Sequence, residues 1–210
     1  MKFTYRFAKL SDAGMLARVH MICAKYQTGG YMHKLGWRFL KEYYKIEINN
    51  AHSIILLAEG EDGVCYGFHS GTLKAEEHFA SLRKNRISLF LNLLPRLITK
   101  PSLILGVIHR YVSFANKDTK IEFGVKNGPR GEYWGWLPDY SNPVESLNLH
   151  KKWHTILRDL GAESVRSEVD LTNDRVYKSI KLMGGEIINE LELPDKRKRA
   201  VVQYNLIDNF

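Results

Sequence analysis

Apolar and polar positions follow two periods along this chain, and each period predicts its own kind of element. Alternation with a period of two predicts strands at residues 3–7, 53–59, 64–72, 132–137 and 163–170. Helical spacing predicts helices at residues 11–22, 37–48, 76–110, 143–160 and from residue 172 to residue 183. From residue 132 onwards the order is strand, helix, strand, helix, strand, which is typical of a mixed α/β domain.

The helix at residues 143–160 has the clearest boundaries. Asn142 is a good N-cap, Pro143 stands at the first helical position, and Glu145 follows three residues after the cap. Gly161 comes where a left-handed C-cap ends a helix. We therefore expect the strands before and after this helix to be parallel and joined by a right-handed crossover.

Two strands in the first half of the chain form a predicted hairpin. The turn between them, residues 60–63, begins and ends with glycine. Gly67 and Gly71 inside the second strand indicate close approach of another group. His69 lies between these glycines, and we interpret it as a hydrogen-bonded sheet residue; the alternative is a contact with a substrate or a catalytic base.

Residues 76–110 combine apolar helical runs with basic residues. Neither run has the roughly 18 to 20 uninterrupted apolar residues that a membrane span requires. An ordinary insertion packed on the core is the favoured interpretation. A lid over the acceptor, a dimer contact and a membrane-surface element stay open as alternatives. The polar residues 116–130 lead back to the central strand.

Charge and cysteine content indicate which kinds of partner and which cellular compartment to expect. The chain has 31 Lys and Arg against 23 Asp and Glu, a net charge of +8 that favours anionic partners. Cys23 and Cys65 have no metal-ligand spacing, so we expect free buried thiols, no metal and a reducing cytoplasm. The basic residues 196–199 fit a turn in a terminal hairpin, and without a base-reading motif they predict no nucleic-acid partner.

One stretch resembles a known family. The run SEVDLTNDRVY from Ser167 to Tyr177, followed by Met183, Gly184 and Gly185, resembles the C-terminal half of the GNAT acyltransferase superfamily. The resemblance is best over residues 133–190, and residues 74–127 lie outside it. It implies a single domain over residues 1–210 of the α/β class, with a GNAT-like mixed central sheet, splayed parallel strands, flanking helices and a helical insertion.

The resemblance also implies a cofactor, acetyl-CoA or another acyl-CoA, held between the two central parallel strands. A diphosphate needs unpaired backbone N–H groups, which the start of the helix at Pro143 offers. This region departs from the family pattern because it contains no glycine, and the Glu145 carboxylate opposes a phosphate. The predicted cofactor contacts, with Asn173 beside the pantetheine arm, are Leu137, Ser141, Asn142, Val144, Glu145, Ser146 and Asn173.

Two residues are candidates for proton transfer. Glu132 at the start of the central strand can take the proton of an amine, or it is simply a solvated strand end. The family often has a Tyr seven residues after the helix-opening Asn, but Ile180 stands there. Tyr177, one turn earlier, is the candidate acid, or it is a core residue. The candidates for substrate contacts are His20, Tyr26, Tyr31, His33 and Trp37. In the family the corresponding region lines the acceptor side, so the resemblance implies such contacts here; the alternative is that these residues belong to the core.

Together these features predict an acyl-CoA-dependent N-acyltransferase, most simply an N-acetyltransferase. Its acceptor would be the amine of a small metabolite such as an amino sugar or an amino acid. The alternative is a catalytically silent GNAT-fold binding protein, for which the missing glycines and the missing Tyr argue. A homodimer stays open.

Overall fold

A computed structural model describes residues 2–27, 30–108, 125–192 and 198–209. Seven strands form one sheet in the order β1-β2-β3-β4-β5-β7-β6. The strands are β1 Phe3–Phe7, β2 Ser53–Gly60, β3 Cys65–Thr72, β4 Arg130–Trp136, β5 Ser164–Asp170, β6 Gly185–Glu192 and β7 Lys198–Asn205. The helices are α1 Ala13–Cys23, α2 Trp37–Ile48, α3 Ala75–Lys84, α4 Arg86–Thr99, α5 at residues 103–108, α6 Pro143–Asp159, α7 Asp174–Leu182 and α8 Leu206–Asn209.

The centre of the sheet is the junction between β4 and β5. These two strands are parallel, whereas the other neighbouring pairs among the described strands are antiparallel. Pairing is limited to Arg130 with Arg166 and Gly131 with Ser167, after which the strands diverge. A Cβ atom on Gly131 would lie 2.3 Å from Ser167 Oγ, so glycine permits this close pairing. The prediction of splayed parallel strands joined by the helix at 143–160 is confirmed.

Each face of the sheet has its own core. On one face α6 packs Leu149, Trp153 and Leu157 against β2, β5 and β7. On the other face α1 and α2 bury Leu16, Leu40 and further apolar side chains against β2 and β3. Successive residues of a strand point to opposite faces, so neighbouring side chains on β3 enter different cores.

The predicted hairpin and its glycines are confirmed. Strands β2 and β3 pair antiparallel. A Cβ atom on Gly67 would lie 2.5 Å from the Trp136 ring, and one on Gly71 would lie 2.3 Å from the Arg130 carbonyl oxygen. These close approaches let β4 and α6 pack tightly on β3. The prediction that Cys23 and Cys65 are free and buried is also confirmed.

The insertion is helical over its described part and is integrated into the core. Helix α3 buries Ala75, His78 and Phe79, and α4 packs along α2. Residues 109–124 of the predicted insertion, like residues 196 and 197 of the predicted basic turn, lie outside the described part of the chain. No helix within the described ranges is both long and apolar enough to span a membrane.

Candidate functional site

The divergence of β4 from β5 leaves a notch lined by backbone groups of β4. Leu137 donates its N–H to the Tyr66 carbonyl oxygen at 2.7 Å, which places its backbone on the β3 side. Along a strand, the backbone N–H and C=O groups of successive residues point alternately to one neighbouring strand and to the other. Since Leu137 points to β3, Trp134 and Trp136 direct their backbone N–H and C=O groups towards β5. Because β5 has diverged there, these amides have no strand partner across the notch.

The end of α1 and the loop after it lie along the same edge. Gln27 Nε2 donates to the Trp134 carbonyl oxygen at 3.3 Å, and Cys23 Sγ donates to the Trp136 carbonyl oxygen at 3.2 Å. The carbonyls of this edge are therefore occupied, while the N–H groups remain as donors. The sequence analysis did not identify the backbone of Trp134 and Trp136, because backbone availability depends on pairing and leaves no trace in residue type.

The start of α6 offers fewer free backbone N–H groups than the sequence predicts. Glu145 N–H donates to Asn142 Oδ1 at 3.2 Å, and Ser146 N–H donates to the Asn142 carbonyl oxygen at 3.0 Å. Pro143 has no N–H. Among the first amides of α6, those of Glu145 and Ser146 are therefore bonded to Asn142, whereas the Val144 N–H has no acceptor among the described residues, and Val144 is 65% exposed.

The Glu145 carboxylate is held by a residue of β1. Tyr5 donates its hydroxyl hydrogen to Glu145 Oε2. Burial, followed by this bond, raises the pKa of Tyr5 far above its usual range, so the hydroxyl keeps its proton. Of the other predicted cofactor residues, Leu137 is buried in the core beneath α1 and α2, and Ser141 is exposed beside Asn142.

Asn173 and Tyr177 lie on α7, the helix that follows β5. Asn173 is the N-cap, and its Oδ1 accepts from Val176 N–H at 3.4 Å. Its Nδ2 is therefore the atom that can donate to a ligand. Tyr177 is half-buried with Lys181 Nζ 5.0 Å from its ring centroid, whereas Ile180 is a core residue at 2% exposure.

Glu132 is the extra residue of a bulge in β4. Ser70 pairs with Tyr133 and Gly71 pairs with Gly131, so no residue of β3 stands opposite Glu132. The bulge places its carboxylate among groups from other elements. Arg130 Nε lies 2.6 Å from Glu132 Oε1, and His78 Nε2 lies 3.4 Å from the same oxygen. Glu132 is therefore an oriented, nearly buried carboxylate rather than a solvated strand end.

These contacts extend into a charged cluster formed by Glu47, His78, Arg130, Glu132, Glu168 and Arg199. His78 Nδ1 lies 3.0 Å from Glu47 Oε2. Arg130 Nη1 lies 3.0 Å from Glu168 Oε1, and Arg199 Nη1 lies 3.2 Å from Glu168 Oε2. With His78 protonated, three cations face three carboxylates. The charged cluster lies on the face covered by α2 and α3.

Burial and neighbouring charges set the protonation of this cluster. Burial alone would lower the pKa of His78, but the Glu132 and Glu47 carboxylates outweigh it and raise that pKa above its usual range. Burial raises the pKa of Glu47. Sequence analysis missed Glu47, His78 and Arg130, since their relation to Glu132 arises from the packing of α2 and α3 on β4.

A second cluster of histidines lies under α6, on the opposite face. His69 of β3 and His150 and His154 of α6 have ring centroids between 4.2 and 6.0 Å apart. Burial lowers the pKa of all three, to about 3 for His154. Both ring nitrogens of His150 lack a hydrogen-bond partner among the described residues. We call these residues the neutral cluster. His69 is buried there, and its Nδ1 has no hydrogen-bond partner within the described part of the chain.

Among the residues predicted for the acceptor side, His20 is the one that contacts β4. Its ring stacks on Tyr133 with centroids 3.8 Å apart, and its Nδ1 lies 2.6 Å from the Tyr44 hydroxyl. Burial lowers the pKa of His20 to about 3, so it is neutral. Tyr26 is 67% exposed, and Trp37 Nε1 donates to the Gly14 carbonyl oxygen at 3.0 Å.

No protein-family model and no curated protein matches this chain. Solved structures do match over nearly the whole length. A chimera of the spermidine N-acetyltransferase SpeG of Vibrio cholerae and hSSAT is similar, with a TM-score of 0.63, 8% identity and coverage of 100% of this chain and 98% of that chain. The PaiA N-acetyltransferase of Thermoplasma acidophilum, in complex with coenzyme A, has a TM-score of 0.60, 12% identity and coverage of 98% and 99%.

A third neighbour is YncA of Salmonella typhimurium, solved with its cofactor acetyl-CoA. Its TM-score is 0.59 at 11% identity, and the match covers 98% of this chain and 95% of that chain. Sequence identities this low establish a similarity of fold and nothing more. The chain therefore has the fold of the GNAT N-acetyltransferases, and the predicted fold class is confirmed.

Proposed function

We propose that this protein is an acyl-CoA-dependent N-acyltransferase that acts on a small amine, and that acetyl is the preferred acyl group. The observation that carries the proposal is the notch beside β4, where the amides of Trp134 and Trp136 have no strand partner. Unpaired donors along a diverging strand are a ready site for the amide carbonyls of a pantetheine arm and for a developing oxyanion. We further propose that residues 1–210 form a single domain.

The cofactor would supply an acyl group as a thioester. At one end of the notch, the Val144 N–H and the helix dipole of α6 would hold its diphosphate, with Ser141 and Asn142 beside them. At the other end, Asn173 Nδ2 would donate to the pantetheine arm. Tyr177 Oη would give its proton to the departing thiolate, a modest aid because a thiol is already an acceptable leaving group.

Glu132 would act as the base. An amine is cationic in solution and must lose a proton before it can attack, and a carboxylate takes that proton directly or through water. Arg130 and His78 both contact Oε1 of Glu132, so they fix the orientation of the carboxylate. The acceptor would be the amine of a small metabolite such as an amino sugar or an amino acid, because an amine carries the proton that this base would take.

One observation supports a second candidate, a silent binding protein with the same fold. The amides of Glu145 and Ser146 are engaged by Asn142, so a diphosphate meets fewer donors than the fold can offer. Under this alternative the start of α6 holds no phosphate and the notch has a different occupant.

Calorimetric titration with acetyl-CoA separates the two candidates. If the protein is a transferase, the titration should release or absorb heat. Two variants of Asn142 then test whether the diphosphate binds at the start of α6. Asn142→Gly removes the side chain that occupies Glu145 N–H, at a capping cost of a few tenths of a kcal/mol, so it should tighten binding by about 1 kcal/mol, roughly fivefold. Asn142→Ser keeps a capping oxygen and should bind like the wild type. Absence of heat with acetyl-, propionyl- and longer acyl-CoA leaves the silent fold.

The base is tested separately. Glu132→Gln should retain acyl-CoA binding and lower the rate of transfer at neutral pH, because the amide cannot accept the proton. Glu163→Gln, an exposed residue at the start of β5, is the matched control and should leave the rate unchanged. Equal rates for the wild type and Glu132→Gln would exclude Glu132 as the base.

A further inference from the structure

The outer side of α4 exposes an apolar stripe instead of a polar one. Ile87, Leu91 and Ile98 are 69%, 58% and 78% exposed, with Phe90 beside them at 51%. Their spacing places them on one side of the helix. The opposite side holds Leu93, which is 4% exposed. Helix α4 is thus apolar both where it packs on the protein and where it meets solvent.

Helix α5 also exposes apolar side chains, because Leu105 and Ile108 are 78% and 52% exposed. Contiguous exposed apolar surface of this kind marks an interaction site rather than ordinary surface. Helix α4 is also fixed in place, because Ser88 Oγ donates to Glu42 Oε1 of α2 at 2.5 Å and Arg96 Nε donates to the Lys34 carbonyl oxygen at 3.1 Å. The stripe is therefore presented in a defined orientation.

The segment that carries the stripe has no acidic residue of its own. Between residues 78 and 108 the sequence contains no Asp or Glu, and its basic residues are Arg83, Lys84, Arg86, Arg96 and Lys100. Four of them, Arg83, Lys84, Arg86 and Lys100, are exposed. Cations next to exposed aliphatic and aromatic side chains are the combination that binds the boundary between anionic headgroups and acyl chains.

We propose that α4 and α5 form a surface that docks on an anionic lipid bilayer, with the stripe at the acyl boundary and the cations at the phosphates. The 14 residues of α4 are too few to cross a bilayer, so the helix lies in the interface. A second copy of the chain is a poorer occupant. A two-fold axis would bury the stripe but would bring two cationic borders together, which Coulomb repulsion opposes. This inference is independent of the proposed acyl transfer.

The experiment is co-sedimentation of the full chain with vesicles of phosphatidylcholine alone or mixed with phosphatidylglycerol. The chain should sediment with the mixed vesicles, less so at high salt, and not with phosphatidylcholine alone. Each of Arg83→Gln, Lys84→Gln and Arg86→Gln should weaken binding about fivefold. Leu91→Asp should weaken it at least about tenfold. Ile207→Asp on α8, where the side chain is 63% exposed, is the matched control and should bind like the wild type.

Circular dichroism must show that Leu91→Asp keeps the fold, and acetyl-CoA titration shows whether the notch is affected. Failure of the wild type to sediment with anionic vesicles overturns the proposal, as does equal binding by Leu91→Asp. A dimer in analytical ultracentrifugation that Leu91→Asp dissociates, with no vesicle binding, would assign the stripe to a second copy instead. Loss of acyl-CoA binding with vesicle binding intact would refute only the proposed function.

Discussion

The charged cluster and the neutral cluster lie on opposite faces of one sheet, and each contains at least one buried imidazole. In the charged cluster, His78 is 2% exposed and lies between Glu47 and Glu132. In the neutral cluster, His150 is 4% exposed and is surrounded by His69, His154 and aromatic rings. The burial is similar, but the pKa of His78 is raised and that of His150 is lowered.

The difference shows that burial alone does not decide the charge of a histidine. Desolvation disfavours the imidazolium in both places. Two carboxylates within hydrogen-bonding or ion-pair distance reverse the outcome for His78, whereas the described residues whose rings pack around His150 are His69, Trp134, His154 and Tyr204, and burial keeps His150 neutral. The charged cluster is thus held by ion pairs and the neutral cluster by ring packing, so the two clusters should respond in opposite ways to pH and to mutation.

Acidification should have the largest effect. The pKa of each of His20, His69, His150 and His154 is lowered by burial. The unfolded chain binds more protons below a pKa of about 6.5, so the free energy of unfolding is retained above that pH and lost as the pH falls. Each histidine contributes a loss of about 2 kcal/mol between pH 7 and pH 5.

Urea denaturation at pH 7 and at pH 5 measures this loss, which should amount to several kcal/mol. Glu47 and His78 act in the opposite sense, since both pKa values are raised. The contribution of His78 is fully present below its unfolded pKa and is lost as the pH rises through its folded pKa. Unchanged stability at pH 5 would show that the neutral cluster is hydrated or protonated in the folded protein.

Removal of Arg130 should have the next largest effect. Arg130→Met leaves Glu132 and Glu168 without their shared cation, and breaking a buried ion pair costs about 3 to 5 kcal/mol. The free energy of unfolding in urea measures the change. Arg158→Met is the matched control, because Arg158 pairs with Asp159 at the surface and its loss should cost less than about 0.5 kcal/mol.

Replacing His78 should cost somewhat less. His78→Phe leaves Glu47, itself 1% exposed, with Ser53 as its remaining side-chain donor among the described residues, and should destabilise by about 3 kcal/mol. Adding Glu47→Gln removes the stranded charge and should restore about 1 to 3 kcal/mol. Additive effects in this double-mutant cycle would mean that the two side chains do not interact.

His150→Phe should have the smallest effect. No hydrogen bond is lost, so the free energy of unfolding at pH 7 should change by less than about 1 kcal/mol. At pH 5 the variant should be about 2 kcal/mol more stable relative to the wild type, because it has no imidazole to protonate. A large loss at pH 7 would reveal a polar role for His150 and remove the contrast with His78.

Sequence patterns predicted the fold because its determinants are local. The helix expected at 143–160 is observed at Pro143–Asp159, and the strand expected at 132–137 is observed at Arg130–Trp136. Asn142, Pro143 and Gly161 fix the ends of that helix through their own backbone preferences. These preferences depend only on residues that are close in sequence, so they can be predicted without a structure.

The site was predicted less completely because its contacts are distant in sequence. Glu132 was identified, but Glu47 and His78 come from α2 and α3 and meet it only after folding. Asn142 was identified as a cap, but only the folded helix shows that its cap occupies a donor needed for phosphate. The roles of Glu132, Tyr177 and Asn173 stay predictions until the binding and rate experiments are done.

The divergence of β4 and β5 has a consequence for the solubility of the chain during synthesis. A strand without a partner is an open edge on which another chain can add by β-pairing, and this edge lies in the middle of the sheet. Gln27 and Cys23 occupy the carbonyls of Trp134 and Trp136 along it. Both residues precede β4 in the chain, so they are already made when β4 leaves the ribosome, and the two carbonyls they cap are no longer free to accept from the strand of another chain.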